Sequence, residues 1–205
     1  MNPASSVTIP GSVYYIAKDA FNMCNLTSVT IPATVTKIGE NAFGSDKTVS
    51  MTVESGNPTY DSRDNCNAII ETATNTLISG CKNTVIPNTV TTIAQNAFQN
   101  IDSMTHFDFP STVEHIYPNF SGCFGLKKIF ISKETDIIDK FAFNYYPTND
   151  LVIYTDVEDE ASIPAGWDDN WNSYRDDNYD IQKITVQYNT THDEYIDIIN
   201  HQYKQ

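Results

Sequence analysis

The chain has 205 residues and a formal net charge of −14, because 26 acidic side chains outnumber 12 lysines and arginines. A sequence pI of about 4.4 disfavours strongly anionic partners, namely nucleic acids and acidic membrane surfaces. No apolar run approaches the roughly eighteen residues that a membrane span needs, so the sequence predicts no membrane insertion.

One phrase recurs along the chain from its N-terminal end. Residues 26–43 read LTSVTIPATVTKIGENAF, and similar phrases occupy residues 6–21, 83–98, 104–120 and 126–143. The phrases close on Phe21, Phe43, Phe98, Phe120 and Phe143, which are spaced by 22, 55, 22 and 23 residues. A fixed period in the twenties predicts a solenoid, in which each unit buries its apolar face against its neighbours.

Each phrase is typical of one strand followed by a sharp corner. Val29 and Ile31 alternate with small polar residues, as in a half-buried strand, and Pro32 then removes a backbone donor and ends the strand. Val35 and Ile38 follow at a spacing of three residues, which favours a tight turn or a short helical segment over a second strand. Stacking the units would align their strands into one parallel sheet.

The pattern L-x-x-h-x-I-P-x-x-V-x-x-I-x-x-x-A-F resembles the BspA-like branch of the leucine-rich repeat family over about residues 6–172. The unit at 126–143 departs from it, with Ser132 at the proline position and Thr135 at the valine position. The resemblance implies a right-handed solenoid with one short parallel strand per unit of about 22–23 residues. It also implies an extracellular or cell-surface location, on mucosa-associated bacteria or parasitic protists, and a role in adhesion and protein binding instead of catalysis.

The 55-residue spacing indicates inserted material at about residues 56–82. Ala68–Glu71 and Thr76–Ser79 are short β-prone runs separated by four polar or small residues, which predicts a β-hairpin inserted in the solenoid. A structural role is favoured, and a projecting recognition loop is the alternative.

Four cysteines have no C-x-x-C spacing, so neither zinc nor redox chemistry is predicted. Cys66 and Cys81 flank the hairpin symmetrically. They are candidates for a disulfide in an exported protein, with two buried free thiols as the equally weighted alternative. Cys24 and Cys123 occupy equivalent places in distant units and are predicted to be buried thiols that cannot meet.

The repeat degrades after Phe143. Residues 151–172 contain one last strand, Leu151–Tyr154, and a tryptophan-containing end in which Trp167 and Trp171 cover the open core. Residues 173–205 are predicted to form a terminal cap or the start of a following segment. Within them 181–188 suits a strand, and Thr190 or Thr191 caps a short helix.

The outward strand positions change character along the chain. The first units present serine and threonine, whereas later ones present His106, Asp108, Lys128 and Phe130, an aromatic residue among charges. A fixed period of 22 residues predicts that Lys128 faces Asp150, and Phe130 faces Val152, on the neighbouring strand. Sequence drift at solvent-exposed positions explains such a set, but an aromatic anchor amid polar groups is also typical of a binding patch.

These observations predict a module that is not an enzyme, with no cofactor and no metal, which binds a protein or glycoprotein through its strand face. The acidic group Asp156, Glu158, Asp159 and Glu160 lacks the spacing of calcium loops and is predicted to be solvated surface. The alternatives are an architectural spacer without a ligand, or a glycan-binding module attached to an enzyme. Residues 1–5 do not resemble a signal peptide, which favours a fragment of a longer secreted protein.

Overall fold

The computed structural model describes residues 7–143, 150–175 and 179–201. These residues form a β-solenoid of about six turns with mostly parallel strands, as the repeat predicts. The strands are β1 (Tyr15–Ile16), β2 (Ser28–Ile31), β3 (Lys37–Ile38), β4 (Ser50–Val53), β5 (Tyr60–Asp61), β6 (Ala68–Glu71), β7 (Thr76–Gly80), β8 (Thr92–Ile93), β9 (His106–Asp108), β10 (His115–Ile116), β11 (Lys128–Ile131), β12 (Ile137–Ile138), β13 (Val152–Thr155), β14 (Ser173–Arg175), β15 (Ile181–Lys183) and β16 (Thr185–Gln187). Helix α1 (His192–His201) follows, and 3₁₀ turns occupy Arg63–Asn65 and Glu160–Ser162.

The first strand of each unit lies on one side of the solenoid, which we call the strand face. It consists of two parallel sheets. One pairs β2 with β4, and the other has four strands in the order β16-β13-β11-β9. Thr30 faces Thr52 at the predicted spacing of 22 residues, and their hydroxyl oxygens are 3.1 Å apart. The predicted alignment of the last unit was wrong by two residues, because Phe130 faces Tyr154 and Lys128 faces Val152.

Five units also contain a second short strand, where a tight turn or a short helical segment was predicted, so that prediction was wrong. β1 pairs with β3, and β8, β10 and β12 pair in parallel within a six-stranded sheet. These strands are two residues long and their inward residue is an isoleucine, as in Lys37-Ile38. Two residues are too few for an alternating pattern to be visible in the sequence.

A hairpin is present in the inserted segment, and it is built into the second sheet. β6 pairs with β7 in antiparallel fashion, and β7 then pairs in parallel with β8, so the hairpin continues the second sheet. Ile69 packs in a core with Ile31 and Phe43, whereas Ile70 packs in a core with Phe98. The hairpin is therefore a wall between two hydrophobic cores. The first core lies on the N-terminal side and contains Ile9, Phe43, Ile69 and Cys81. The second core contains Cys66, Ile70, Phe98 and Ile184.

Rings from successive turns stack within the second core. The centroids of Phe98 and Phe120 are 6.2 Å apart, and those of Phe120 and Phe143 are 6.1 Å apart. The Trp171 ring contacts Phe143 edge-on, and the indole nitrogen of Trp167 donates a 2.8 Å hydrogen bond to the Thr135 carbonyl. The tryptophans are 5% and 3% exposed and belong to the second core, which continues beyond them to Ile184.

The strand-face sheet extends past residue 172, where the sequence predicted the repeats to end. β14 and β15 form an antiparallel pair, and β16 adds to β13 in parallel.

Thr191 caps α1 as predicted. The Thr191 amide donates to Glu194 Oε2 at 2.8 Å, and the Glu194 amide donates to Thr191 Oγ1 at 3.3 Å. In the described part of the chain, no helix is long and apolar enough to cross a membrane.

Candidate functional site

A groove of about 760 Å³ lies on the strand face, and we call it the strand-face groove. Residues 81–86 form one wall and residues 103–111 form the other, with Phe130, Asp156 and His192 at the far side. Val85 on the first wall is 73% exposed, whereas Val35, Val90 and Val113 are fully buried. The groove therefore offers apolar surface beside polar and charged side chains.

The strand-face sheet is interrupted at this groove. β9 is an edge strand, and among the described residues it pairs with β11 alone. Residues 83–86 occupy the place of the preceding strand but form no ladder with β9. The Val85 amide instead donates to the Cys66 carbonyl at 3.0 Å, on the side of the hairpin. The insertion has therefore drawn this segment into contact with the hairpin, away from β9.

The four predicted binding residues lie together on two adjacent strands. His106 faces Lys128 and Asp108 faces Phe130 in the register of β9 with β11. His106, Asp108 and Phe130 line the groove. Burial lowers the pKa of His106, and the nearby Lys128 ammonium lowers it further, so the imidazole is neutral at neutral pH.

Phe130 is not the exposed anchor that its outward position predicted. Its side chain is 3% exposed, because α1 lies across it. The ring centroids of His192 and Tyr195 lie 5.1 and 5.5 Å from that of Phe130. The chain thus covers its own aromatic residue, and Phe130 packs inside the molecule instead of facing solvent.

Polar contacts hold α1 on the strand face. The Tyr195 hydroxyl, whose pKa is raised by burial and secondarily by Asp108, donates to the Phe107 carbonyl at 3.0 Å. His192 Nε2 is 2.6 Å from Asp108 Oδ2. The other oxygen, Asp108 Oδ1, is buried and makes no hydrogen bond with any described residue. An unsatisfied buried acceptor of this kind costs stability, and the protein itself shields the atom from solvent.

Sequence reasoning missed His192 and Tyr195 as members of this site. They follow Asp108 and Phe107 by 84 and 88 residues, outside the repeat, and no spacing in the sequence relates them. The sequence did contain a signal for Val85. It is the first aliphatic residue at the outward strand position that Thr8, Thr30 and Thr52 occupy in the preceding units.

A β-bulge decides how Cys66 and Cys81 face each other. Ile70 faces Leu77, but beyond a register shift between Ile69 and Ile70, Ala68 faces Gly80. The shift moves Cys66 out of register with Cys81, and the two side chains pack in different cores. Both are free, buried thiols in the structure, so the geometry favours that alternative, and the disulfide stays a prediction.

The profile of the BspA-type leucine-rich repeat region matches residues 2–71 and 77–160 in six copies, well over half of the chain. Among curated proteins no match was found.

Three solved structures are similar to this chain. A leucine-rich cell surface protein from Faecalibacterium prausnitzii A2-165 has a TM-score of 0.50 at 23% identity, covering 92% of this chain and 55% of that one. The pneumococcal vaccine antigen PcpA has a TM-score of 0.46 at 16% identity, covering 92% and 57%. A leucine-rich repeat protein from Eubacterium ventriosum ATCC 27560 has a TM-score of 0.41 at 15% identity, covering 89% and 64%. The chain thus spans 55–64% of the length of these proteins, and the first likeness bears on the fold alone.

Proposed function

The chain belongs to the BspA-type leucine-rich repeat family, and from that premise we propose that it is a cell-surface binding module. It acts outside the cell and holds a protein or glycoprotein in its strand-face groove. The Faecalibacterium protein with a similar fold is described as a cell surface protein, which supports this location.

The strand-face groove is the observation that carries the proposal. Its volume of about 760 Å³ falls in the range of ligand sites, about 300–1,000 Å³. It combines the exposed Val85 with His106 and Asp108, and a mixture of apolar and polar groups gives both desolvation and orientation to a bound partner. The net charge of −14 favours a partner with basic groups over a nucleic acid.

We propose a binding role without catalysis. Asp108 and His192 contact each other and hold α1 in place, which is a structural use of the two groups best suited to acid–base chemistry. No step in this function calls for a cofactor or a metal.

An architectural spacer is the second candidate, and one observation favours it. α1 covers Phe130, the aromatic residue expected to anchor a partner, so the strand face between β11 and β13 is already occupied. A spacer would need the strand face only as scaffold, and no substitution in the groove would then change binding.

A pair of matched variants separates the two functions. Val85→Glu places a charge in the groove, whereas Met23→Glu places the same charge at a residue that is 75% exposed and does not line it. Each purified variant is immobilised and exposed to mucosal extract, and the captured proteins are quantified. We expect Val85→Glu to reduce the captured partner at least about ten-fold, as the loss of a hot spot does, and Met23→Glu to match the wild type. Equal capture by all three proteins would favour the spacer.

A further inference from the structure

We propose that the open edge of β9 is a strand-addition site, at which an extended, basic segment of a partner protein pairs with the backbone of β9. The inference rests on the proposed function and deepens it, because it names the binding mode and the chemistry of the partner. The segment would lie in the strand-face groove and complete the sheet that is interrupted there.

The hydrogen bonds of β9 identify its open edge. The Lys127 amide donates to the Thr105 carbonyl at 2.9 Å, and the Phe109 amide donates to the Phe130 carbonyl at 3.2 Å. Thr105 and Phe109, which flank β9, therefore direct these backbone groups towards β11, and by alternation Phe107 does the same. Since alternate residues of a strand point their backbone groups to opposite edges, those of His106 and Asp108 face the groove. Unpaired donors and acceptors in a row are a template for another strand.

The opposite wall does not fill this position. Thr84 and Ile86 lie 22 residues before His106 and Asp108, the spacing at which Ser28 pairs with Ser50. Residues 81–86 and 103–111 are nevertheless separated by the groove of about 760 Å³. β9 itself has three residues, and each extended residue adds about 3.3 Å, so a short extended segment is long enough to pair along it.

The charges of the groove select a basic segment. Asp108 and Asp156 line it, with Lys82 on the opposite wall. Asp156 Oδ1 already accepts from the Lys133 amide, and Asp108 Oδ2 contacts His192, but the Asp108 side chain is still 34% exposed. The chain as a whole carries a charge of −14. A lysine or arginine in the added strand therefore complements both Asp108 and the field of the molecule.

A defined peptide tests the binding mode on the wild-type chain. The probe is a fluorescein-labelled seven-residue peptide of alternating lysine and valine, and its control is the same peptide N-methylated at every internal residue. Both have the same side chains and charge, but the control lacks the donors that pair with a strand. We expect the control to bind at least about ten-fold more weakly, because several backbone hydrogen bonds are lost. Binding should also slow amide exchange at Asp108.

Two variants of the chain test the edge itself. His106→Ala removes the side chain, and His106→Pro also removes the amide hydrogen on the open edge, where proline is tolerated. We expect the proline variant to bind the peptide at least about ten-fold more weakly than the alanine variant. Thermal unfolding of both variants checks that each is folded.

Several results would overturn strand addition. They are equal binding of the two peptides, no binding of the parent peptide, equal affinity of the two His106 variants, or self-association of the chain that competes with the peptide. If the His106 variants capture equal amounts of the partner from extract while Val85→Glu captures less, strand addition fails and the proposed binding function stands. If Val85→Glu has no effect on capture, the proposed function itself fails.

Discussion

At the scale of single residues, the backbone conformation restricts which residue types suit the position before the recurrent Ala-Phe pair. Asp19, Asn41 and Asn96 adopt positive φ angles of 57°, 54° and 59° there. Asparagine and aspartate tolerate this left-handed conformation, whereas other side chains crowd the following carbonyl. The last unit places Phe141 at the same position with φ 55°, an unfavourable residue that is contacted by the Lys140 ammonium at 5.1 Å.

Asn96 provides a test of this backbone requirement. Asn96→Ala and Asn96→Gly remove the same side chain, but only glycine adopts a positive φ freely. We expect the alanine variant to unfold with a free energy about 1 kcal/mol lower than the glycine variant, since left-handed strain outweighs the entropy that alanine saves. Urea unfolding of both variants measures the difference. A more stable alanine variant would show that the left-handed conformation is not retained.

The two departures from the repeat at Ser132 and Thr135 are accommodated by hydrogen bonds. Thr135 is fully buried where other units have valine, and its hydroxyl donates to the Val113 carbonyl at 3.0 Å. Ser132 Oγ accepts from the Glu134 amide at 3.2 Å at the proline position. The polar atoms are therefore satisfied, and the unit keeps its place in the stack.

The cysteines give a second prediction at the residue scale. Burial raises the pKa of Cys123 to about 12 and raises the pKa of Cys66 and Cys81. Because a thiol reacts as its thiolate and a raised pKa keeps it protonated, these three should label slowly at pH 8 and faster as the pH rises. The half-buried Cys24 should label first. Under denaturing, non-reducing conditions we expect four labelled thiols by intact mass, whereas two labels, located on Cys24 and Cys123 by peptide mapping, would establish the Cys66–Cys81 bridge.

At the scale of elements, α1 depends on one side chain. Tyr195 is its single buried residue, packed against Phe130 and Tyr154 at centroid distances of 5.5 Å. A ten-residue helix is marginal in water, so its stability comes from tertiary contacts, chiefly this buried one, with the half-exposed His192–Asp108 contact beside it. The helix therefore covers Phe130 only while Tyr195 remains in place.

Replacing Tyr195 should release the helix without unfolding the solenoid. In Tyr195→Ala we expect the amides of α1 to lose their protection from hydrogen exchange, because the remaining contacts are half-exposed. Asn200→Ala, which alters an exposed residue of the same helix, is the control. Protection of α1 at the wild-type level in Tyr195→Ala would show that Tyr195 does not hold it.

At the scale of the whole molecule, the hairpin divides the solenoid into two cores. Ile69 faces the first core and Ile70 the second, so β6 has apolar groups on both sides. Turns of a solenoid contact only their neighbours, and stability is close to a sum over turns. A defect in one core should therefore be felt weakly in the other.

Phe43→Ala tests both the register and this division. Phe43 is 1% exposed and its ring stacks on Phe21 at 5.5 Å. We expect a loss of about 3–5 kcal/mol in the free energy of unfolding from the cavity. Hydrogen exchange should quicken in the first core and change little in turns built on Phe98 and Phe120. Thermal unfolding within a degree or two of wild type would contradict the register, and uniform loss of protection would contradict the division.

The sequence by itself determined the solenoid, because contacts at a fixed spacing leave a period in the chain. Val29, Ile31 and Pro32 predicted β2, the runs around residues 72–75 predicted the hairpin, and the cap at Thr191 predicted the start of α1. Each of these features depends on neighbours in sequence or on equivalent positions one turn away.

Only the tertiary structure decided what the strand face presents. Tyr195 covers Phe130 from outside the repeat, and a bulge after Ile69 changes which residues face each other across the hairpin. The hydrogen bond from Val85 to Cys66 leaves β9 with an open edge. These contacts join residues with no common period, and their geometry follows from packing of the whole chain, so no local pattern in the sequence records them.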